Sequence, residues 1–184
     1  MVQKTYSLEV ELPENVNASV QGNVLSIKGP KGEVKRLIDN PRTLMKVEGK
    51  IVSLSLKSEL KQSQRDKMHM NSYQSHIKNM IDGVVNGYTA KVKVCSGHFP
   101  MTVSIDSSNK FAVKNFLGEK VPRTVNIKQG VKVEVQGDII TITGLDKEIV
   151  GQTAASLEQL TRITNRDRRI FQDGLYITKK PGEE

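Results

Sequence analysis

Hydrophobic positions along this chain follow two rhythms. Residues 5–12 read TYSLEVEL, with Tyr6, Leu8, Val10 and Leu12 at every second position, the period of a half-buried strand. Pro13 ends it. Period two returns in residues 16–34, where Gln21-Gly22-Asn23 supplies a hairpin turn, and again in residues 34–38. Residues 44–56 give two further short runs that meet near Gly49-Lys50, the second with Ile51, Val52, Leu54 and Leu56. Residues 60–81 then change character. They lack Gly and Pro, and Met70, Tyr73, Ile77 and Met80 recur at steps of three and four, which predicts an amphipathic helix. Gly83 stands where a helix C-terminal glycine is expected.

The second half restarts the strand rhythm at residues 88–96, YTAKVKVCS. Short strands are predicted over residues 101–105, 111–115 and 123–127, with a loop over 116–120. A hairpin follows around Gln136-Gly137-Asp138. Asp146 is placed to cap a helix whose buried face is Val150, Ala154, Leu157 and Thr161, with Glu148 near its positive end. Small residues Gly151, Ala154 and Ala155 let that helix approach a sheet. A polar stretch, residues 165–174, leads to a last strand, LYITKK.

One segment occurs twice. Residues 16–34, VNASVQGNVLSIKGPKGEV, match residues 131–149, VKVEVQGDIITITGLDKEI, without a gap. A repeat at that separation implies a duplicated domain. The pattern therefore predicts an α+β fold of two tandem, duplicated domains, residues 1–82 and 83–184. Each consists of antiparallel strands packed with one main α-helix.

Charge narrows the function. The net charge is +8, from 28 Lys plus Arg against 20 Asp plus Glu, and the excess divides evenly between the halves. Such a balance points to an anionic partner, most often nucleic acid. Trp is absent and aromatics are only 4%, a poor endowment for an enzyme pocket. Cys95 is the single cysteine, so no intramolecular disulfide forms and a reducing, intracellular setting is expected. The N-terminus has no apolar core of signal-peptide length, and no apolar run approaches the ~20 residues that span a bilayer. A cytoplasmic protein with no membrane partner is expected.

Cys95 and His98, three apart in CSGHFP, have the residue types of a nucleophile and base, but no third group to orient them is evident. They are read as a strand-end cysteine and a turn histidine. His69 and His76 lack a carboxylate or cysteine at a matching step and are read as surface histidines. Gly29-Pro30-Lys31-Gly32 is a basic turn that departs from the phosphate-loop pattern, although Lys28 or Lys31 there is a secondary RNA-binding candidate. No catalytic residue, metal, cofactor or small-molecule substrate is expected. The strongest signal is the run of Arg162, Arg166, Arg168 and Arg169, diluted by Asp167, with Lys179 and Lys180 beyond it. Arginine forks suit phosphate oxygens. Asn165 and Gly174 would let backbone N–H groups approach a ligand. Phe171 and Tyr176 are read as packing residues, with base stacking as the other reading.

At DKEIVGQTAASLEQLTRITNRDRRIFQDGLYI the chain resembles the large-subunit ribosomal protein L6 family, in its archaeal and eukaryotic form. The Val-Gly-Gln-x-Ala-Ala helix, Val150 to Ala155, carries the likeness, as does the Arg-Asp-x-Arg-x-Phe-x-Asp-Gly-x-Tyr run, Arg166 to Tyr176. AKVKVCSGHFPMTVSI and KNFLGEKVPR are similar to the same family's second domain. The arginine-rich loop stands where the bacterial branch has a Tyr-Lys-Gly-Lys-Gly loop. The resemblance implies a structural, non-enzymatic constituent of the large ribosomal subunit that braces rRNA near the sarcin–ricin stem, in the translation-factor-binding region. Its implied partners are large-subunit rRNA, neighbouring ribosomal proteins and nearby translation factors. The implied principal rRNA surface lies in the second domain, on Arg162, Arg166, Arg168, Arg169, Gly174, Lys179 and Lys180. The alternative is a basic two-domain RNA- or protein-binding adaptor outside the ribosome. An enzyme built on Cys95 and His98 is the third reading.

Overall fold

A computed structural model describes residues 7–57 and 63–183 of the chain. Thr5 and Tyr6 of the first predicted strand, and residues 60–62 of the predicted first helix, lie outside the described residues. The chain divides into two compact units between Gly87 and Tyr88.

In the first unit β1 (Ser7–Glu11), β2 (Asn17–Gln21), β3 (Val24–Gly29), β4 (Gly32–Leu37), β5 (Thr43–Glu48) and β6 (Ile51–Leu56) precede α1 (Gln64–Val85). They form two antiparallel three-stranded sheets, β1-β6-β5 and β2-β3-β4. Val10, Leu25, Ile27, Val52 and Leu54 alternate inward, as period two requires, and meet Met70, Ile77 and Val84 of α1. The helix begins in a capping box. The Ser63 hydroxyl accepts the Asp66 N–H, and the Asp66 carboxylate accepts the Ser63 N–H at 3.0 Å. Arg42 pairs with the same carboxylate at 3.0 Å. The hydrogen bond from the Ser63 side chain, with help from Arg42, holds the Asp66 carboxyl below its ordinary value against the opposing effect of burial.

Gly83 does not end this helix. It is a buried helical residue, and α1 runs on to Val85, with Asn86 as the cap and Gly87 left-handed at φ 71°. Burial supplies the reason. Val84 is fully buried and lies over Gly29, where a Cβ would fall 2.7 Å from its Cγ2. Burying a valine is worth about 1.5–3 kcal/mol, more than the roughly 1 kcal/mol that a helical glycine costs.

The second unit contains β7 (Tyr88–Cys95), β8 (Thr102–Ile105), β9 (Lys110–Lys114), β10 (Arg123–Asn126), β11 (Val131–Gln136), β12 (Ile139–Gly144), α2 (Lys147–Leu160) and β13 (Gly174–Lys179). A four-stranded antiparallel sheet, β11-β12-β7-β13, lies beside a smaller one, β10-β9-β8. Asp146 caps α2 by accepting the Glu148 N–H at 2.8 Å. The helix buries Val150, Ala154 and Leu157 against Val92, Ile140, Ile142 and Leu175.

The duplication is real, but the two Val-Gln-Gly turns are not counterparts. β1-β6-β5 has the topology of β7-β12-β11, and β2-β3-β4 that of β8-β9-β10. The turn at Gly137-Asp138 therefore answers Gly49-Lys50, between β5 and β6, while Gly22-Asn23 belongs to the smaller sheet. Gly22, Gly49 and Gly137 adopt φ of 62°, 61° and 59°. Tight hairpins share a demand for glycine at positive φ and strands share period-two alternation, so an ungapped match between hairpins does not make them counterparts.

Candidate nucleic-acid interface

The arginine loop connects α2 to β13 in the second unit. Its two ends are fixed in the core. Thr161 is 4% exposed, and its hydroxyl accepts the Leu175 N–H at 2.9 Å, tying the helix end to the start of β13. Ile163 is buried in the same core. Between these anchors, residues 164–170 are all exposed. Asn165 turns the chain at φ 59°, a conformation asparagine tolerates better than most residues.

Asp167 organises the outer turn. Its carboxylate accepts the Arg169 N–H at 2.9 Å and pairs with the Arg169 guanidinium at 2.7 Å. Its carbonyl accepts the N–H groups of Ile170 and Phe171. The Arg169 side-chain bond, and then its backbone N–H, lower the Asp167 carboxyl from its ordinary value. The Arg169 side chain remains 90% exposed, so this pair holds the loop's shape without withdrawing the arginine from solvent. Arg166 stacks over the Phe171 ring at 5.0 Å, and Phe171 packs against the His98 ring at 5.0 Å. Among the described residues, Arg162, Arg166 and Arg168 form no ion pair, and all three are exposed, Arg166 with its guanidinium over Phe171.

Two residues that sequence reasoning passed over hold this loop in place. Asp173 is 2% exposed. Its carboxylate accepts the N–H groups of Gly97, His98 (3.1 Å) and Phe99 (3.4 Å), and stands 3.6 Å from His98 Nδ1. Burial alone raises this carboxyl. The three backbone N–H groups and His98 outweigh it, so the group titrates below the ordinary aspartate value. Arg123 serves the other end. It donates to the carbonyls of Leu160 (2.8 Å) and Arg162 (3.3 Å), pairs with Glu119 at 2.6 Å, and stacks over Phe116 at 4.4 Å. It thus satisfies carbonyls that the end of α2 leaves open. The Arg123 side-chain bond in turn lowers the Glu119 carboxyl. The signals were present in the sequence, as the Asp-Gly before the last strand and the arginine after Val121-Pro122, but neither spacing discloses its distant partner.

The predicted site residues divide in the structure. Arg162, Arg166, Arg168 and Arg169 share one exposed loop. Gly174 does not join them. It is buried under Thr161 and the Tyr176 ring, with φ 155°, and opens β13 opposite Cys95. Lys179 is half-buried opposite Lys91, and Lys180 is exposed just after the strand. Lys28 is exposed on β3. Lys31 donates its N–H to Val84 O and its Nζ to Asn86 O, so it closes the C-terminal end of α1. Cys95 is half-buried and opposite Gly174, while His98 belongs to the Asp173 cluster. His76 meets Arg36 at 3.2 Å rather than a metal-site partner. Among the described residues, no group of His, Cys, Asp and Glu has a metal-binding arrangement, and no helix is long and apolar enough to cross a membrane.

Comparison with known proteins agrees with this architecture. A family model described as ribosomal protein L6 matches residues 12–87 and 99–174. Those matches begin ahead of β2 and β8, in step with the topology. The chain is 43% identical over 172 residues to a protein of Methanocella arvoryzae, covering 94% of this chain and 96% of the relative. It is 44% identical over 174 residues to one of Desulfurococcus amylolyticus (94% and 93%) and 40% identical over 173 residues to one of Haloquadratum walsbyi (94% and 94%). Each of these relatives is named large ribosomal subunit protein uL6.

Proposed function

The chain belongs to the ribosomal protein L6 family, and from that premise we propose how it serves as a structural constituent of the large ribosomal subunit. The family is one of structural ribosomal proteins, and the chain is not an enzyme. It works with rRNA and other ribosomal proteins in the cytoplasmic ribosome. The finer reading is that the second unit, through its arginine loop, binds rRNA near the sarcin–ricin stem, where translation factors approach. The observation that carries the loop's role is the exposure of Arg162, Arg166, Arg168 and Arg169 on a segment whose ends are locked by Thr161, Asp173 and Arg123. The location rests on the family resemblance.

The mechanism is electrostatic and shape-based. A-form RNA is recognised largely through its backbone and 2′-hydroxyls, which suits guanidinium groups fixed on a rigid loop. Such contacts position the protein without reading sequence. Replacing both Arg168 and Arg169 with Ala is expected to weaken binding to purified large-subunit rRNA. It should also lower the salt slope by about one unit per lost phosphate contact. Unchanged affinity and slope would remove the loop from the site. A footprint on the rRNA away from the sarcin–ricin stem would overturn the location. An adaptor acting outside the ribosome would stay in the supernatant at low salt, whereas the ribosomal reading requires co-sedimentation with large subunits.

A further inference from the structure

The main sheets of the two units correspond strand for strand, and their solvent faces can be compared position by position. In the first unit the outward residues are Ser7, Glu9 and Glu11 on β1, Ile51, Ser53 and Ser55 on β6, and Leu44, Lys46 and Glu48 on β5. In the second they are Thr89, Lys91 and Lys93 on β7, Ile139, Thr141 and Thr143 on β12, and Lys132, Glu134 and Gln136 on β11. The registers fix the correspondence. Glu11 lies opposite Ile51 as Lys93 lies opposite Ile139, and Glu9 opposite Ser53 as Lys91 opposite Thr141. The central strand is nearly unchanged between copies, with Ile for Ile and Thr for Ser. On β1 and β7 the charge is reversed, Glu9 to Lys91 and Glu11 to Lys93, while on β5 and β11 Leu44, Lys46 and Glu48 become Lys132, Glu134 and Gln136, so the net charge of the face changes sign. Three glutamates against one lysine in the first unit become three lysines against one glutamate in the second.

The second unit also extends this face by a strand. β13 places Tyr176 opposite Lys93 and Lys179 opposite Lys91. Tyr176, Lys93, Cys95, Ser96 and Gln172 line one shallow open depression, with Asp138 of the β11–β12 turn also in its lining. Gln172, exposed between the arginine loop and the buried Asp173, is one of these lining residues, so the end of the loop borders the sheet face.

We propose that the outward face of β11-β12-β7-β13 binds the sugar–phosphate backbone of large-subunit rRNA, with Lys91, Lys93 and Lys179 as its phosphate contacts; Lys132 is paired with Glu134 at 2.7 Å. This extends the proposed arginine-loop site and rests on that reading for the identity of the RNA. A solvated face has no need for the change of both glutamates of β1 to the lysines of β7, whereas a polyanion bound to the second sheet along β7 and β13 does. The match of an elongated lysine-bearing face to a polyanion selects RNA over a protein helix, which would need an apolar stripe. The exposed apolar residue that opens the central strand, Ile51 or Ile139, is common to both faces and cannot explain the difference. The first unit's face, with Glu9 and Glu11, repels the same ligand.

The test uses the full chain and purified large-subunit rRNA, with three paired variants: Lys91→Gln with Lys93→Gln, Glu9→Gln with Glu11→Gln, and Arg168→Ala with Arg169→Ala. All six side chains are exposed, and thermal melts check that each variant folds. Losing two phosphate contacts should lower the salt slope by about 1.8 and weaken binding ~30-fold at ~0.15 M salt. The Lys91/Lys93 pair is expected to show that loss and the Glu9/Glu11 pair none. If the arginine pair weakens binding and the lysine pair leaves affinity and slope unchanged, the sheet-face proposal is overturned while the loop reading stands. If the lysine pair weakens binding and the arginine pair does not, the loop reading fails and the sheet face is the site. Loss in the Glu9/Glu11 pair equal to that in the lysine pair would overturn the claim that charge reversal separates the two faces.

Discussion

The substitution Asp173→Asn isolates what positions the arginine loop. It preserves the size of the side chain and removes its charge. The carboxylate accepts three backbone N–H groups from Gly97, His98 and Phe99, and it is almost wholly shielded from water. Asparagine keeps one acceptor oxygen, and its amide nitrogen then turns donors toward at least one of those N–H groups. Hydrogen bonds to a charged group contribute about 1.5–3 kcal/mol each, and a buried donor left without a partner costs about 1–3 kcal/mol. One lost charge-assisted bond plus one orphaned donor gives a destabilisation of about 3 kcal/mol. Urea denaturation of the full chain measures it, and the melting temperature should fall on the order of 10 °C. Amide exchange supplies the local readout. Gly97, His98 and Phe99 should exchange on the order of 100-fold faster if they open locally in the variant. The pH dependence carries a definite sign. The folded carboxyl titrates below its ordinary value, so its contribution is complete above the unfolded aspartate value of about 3.9. It is lost as the pH falls through the lowered folded value. The stability gap between the natural chain and the variant should therefore be constant near neutrality and close in strong acid. A variant within about 0.5 kcal/mol of the natural chain, with unchanged exchange at those three amides, would refute the reasoning.

Three further perturbations probe the scaffold. Arg123→Met keeps an unbranched side chain but removes the guanidinium, and with it the stacking on Phe116 at 4.4 Å and the hydrogen bonds to the Leu160 and Arg162 carbonyls; it should cost about 2–3 kcal/mol in urea unfolding, because the Glu119 pair is partly exposed and contributes little. Equal stability would show that the end of α2 needs no such cap. Gly144→Ala places a Cβ 2.7 Å from Val150 Cγ2 and should cost about 1–3 kcal/mol, a penalty that Val150→Ala in the same chain relieves in part. Gly137→Ala meets open space but sits at φ 59°, so its cost of about 1–2 kcal/mol should be indifferent to any neighbour; strict additivity of Gly144→Ala with Val150→Ala would contradict the steric account.

Periodicity made the strands and both helices legible, because which side chains face the core is a local property of the chain. The alternation of Val92 and Val94, or the spacing of Met70, Ile77 and Met80, needs no partner to be seen. Gly83 misled because a helix stops where burial stops, and Val84 still has Gly29 to cover. The repeat misled for a related reason. Gly22, Gly49 and Gly137 obey one local rule, so similarity among their turns reports φ rather than descent, and only pairing over distance identifies counterparts. The arginine loop was visible as composition, but its support was not. Asp173 reaches across 76 positions to Gly97, and Arg123 across 37 to Leu160, and no window of sequence contains both partners. The setting of Gly174 was hidden for the same reason: a glycine beside arginines reads as a ligand cradle, and its burial against Thr161 and Tyr176 depends on contacts made at a distance. The charge reversal between the two sheets stayed hidden longest, since it exists only once Glu9 and Lys91 are known to occupy one position in two copies. Duplication supplied both sheets with one set of constraints on the inner face and left the outer face free to diverge. The outer face is therefore where differences between the copies carry information about partners, and the inner face is where they do not.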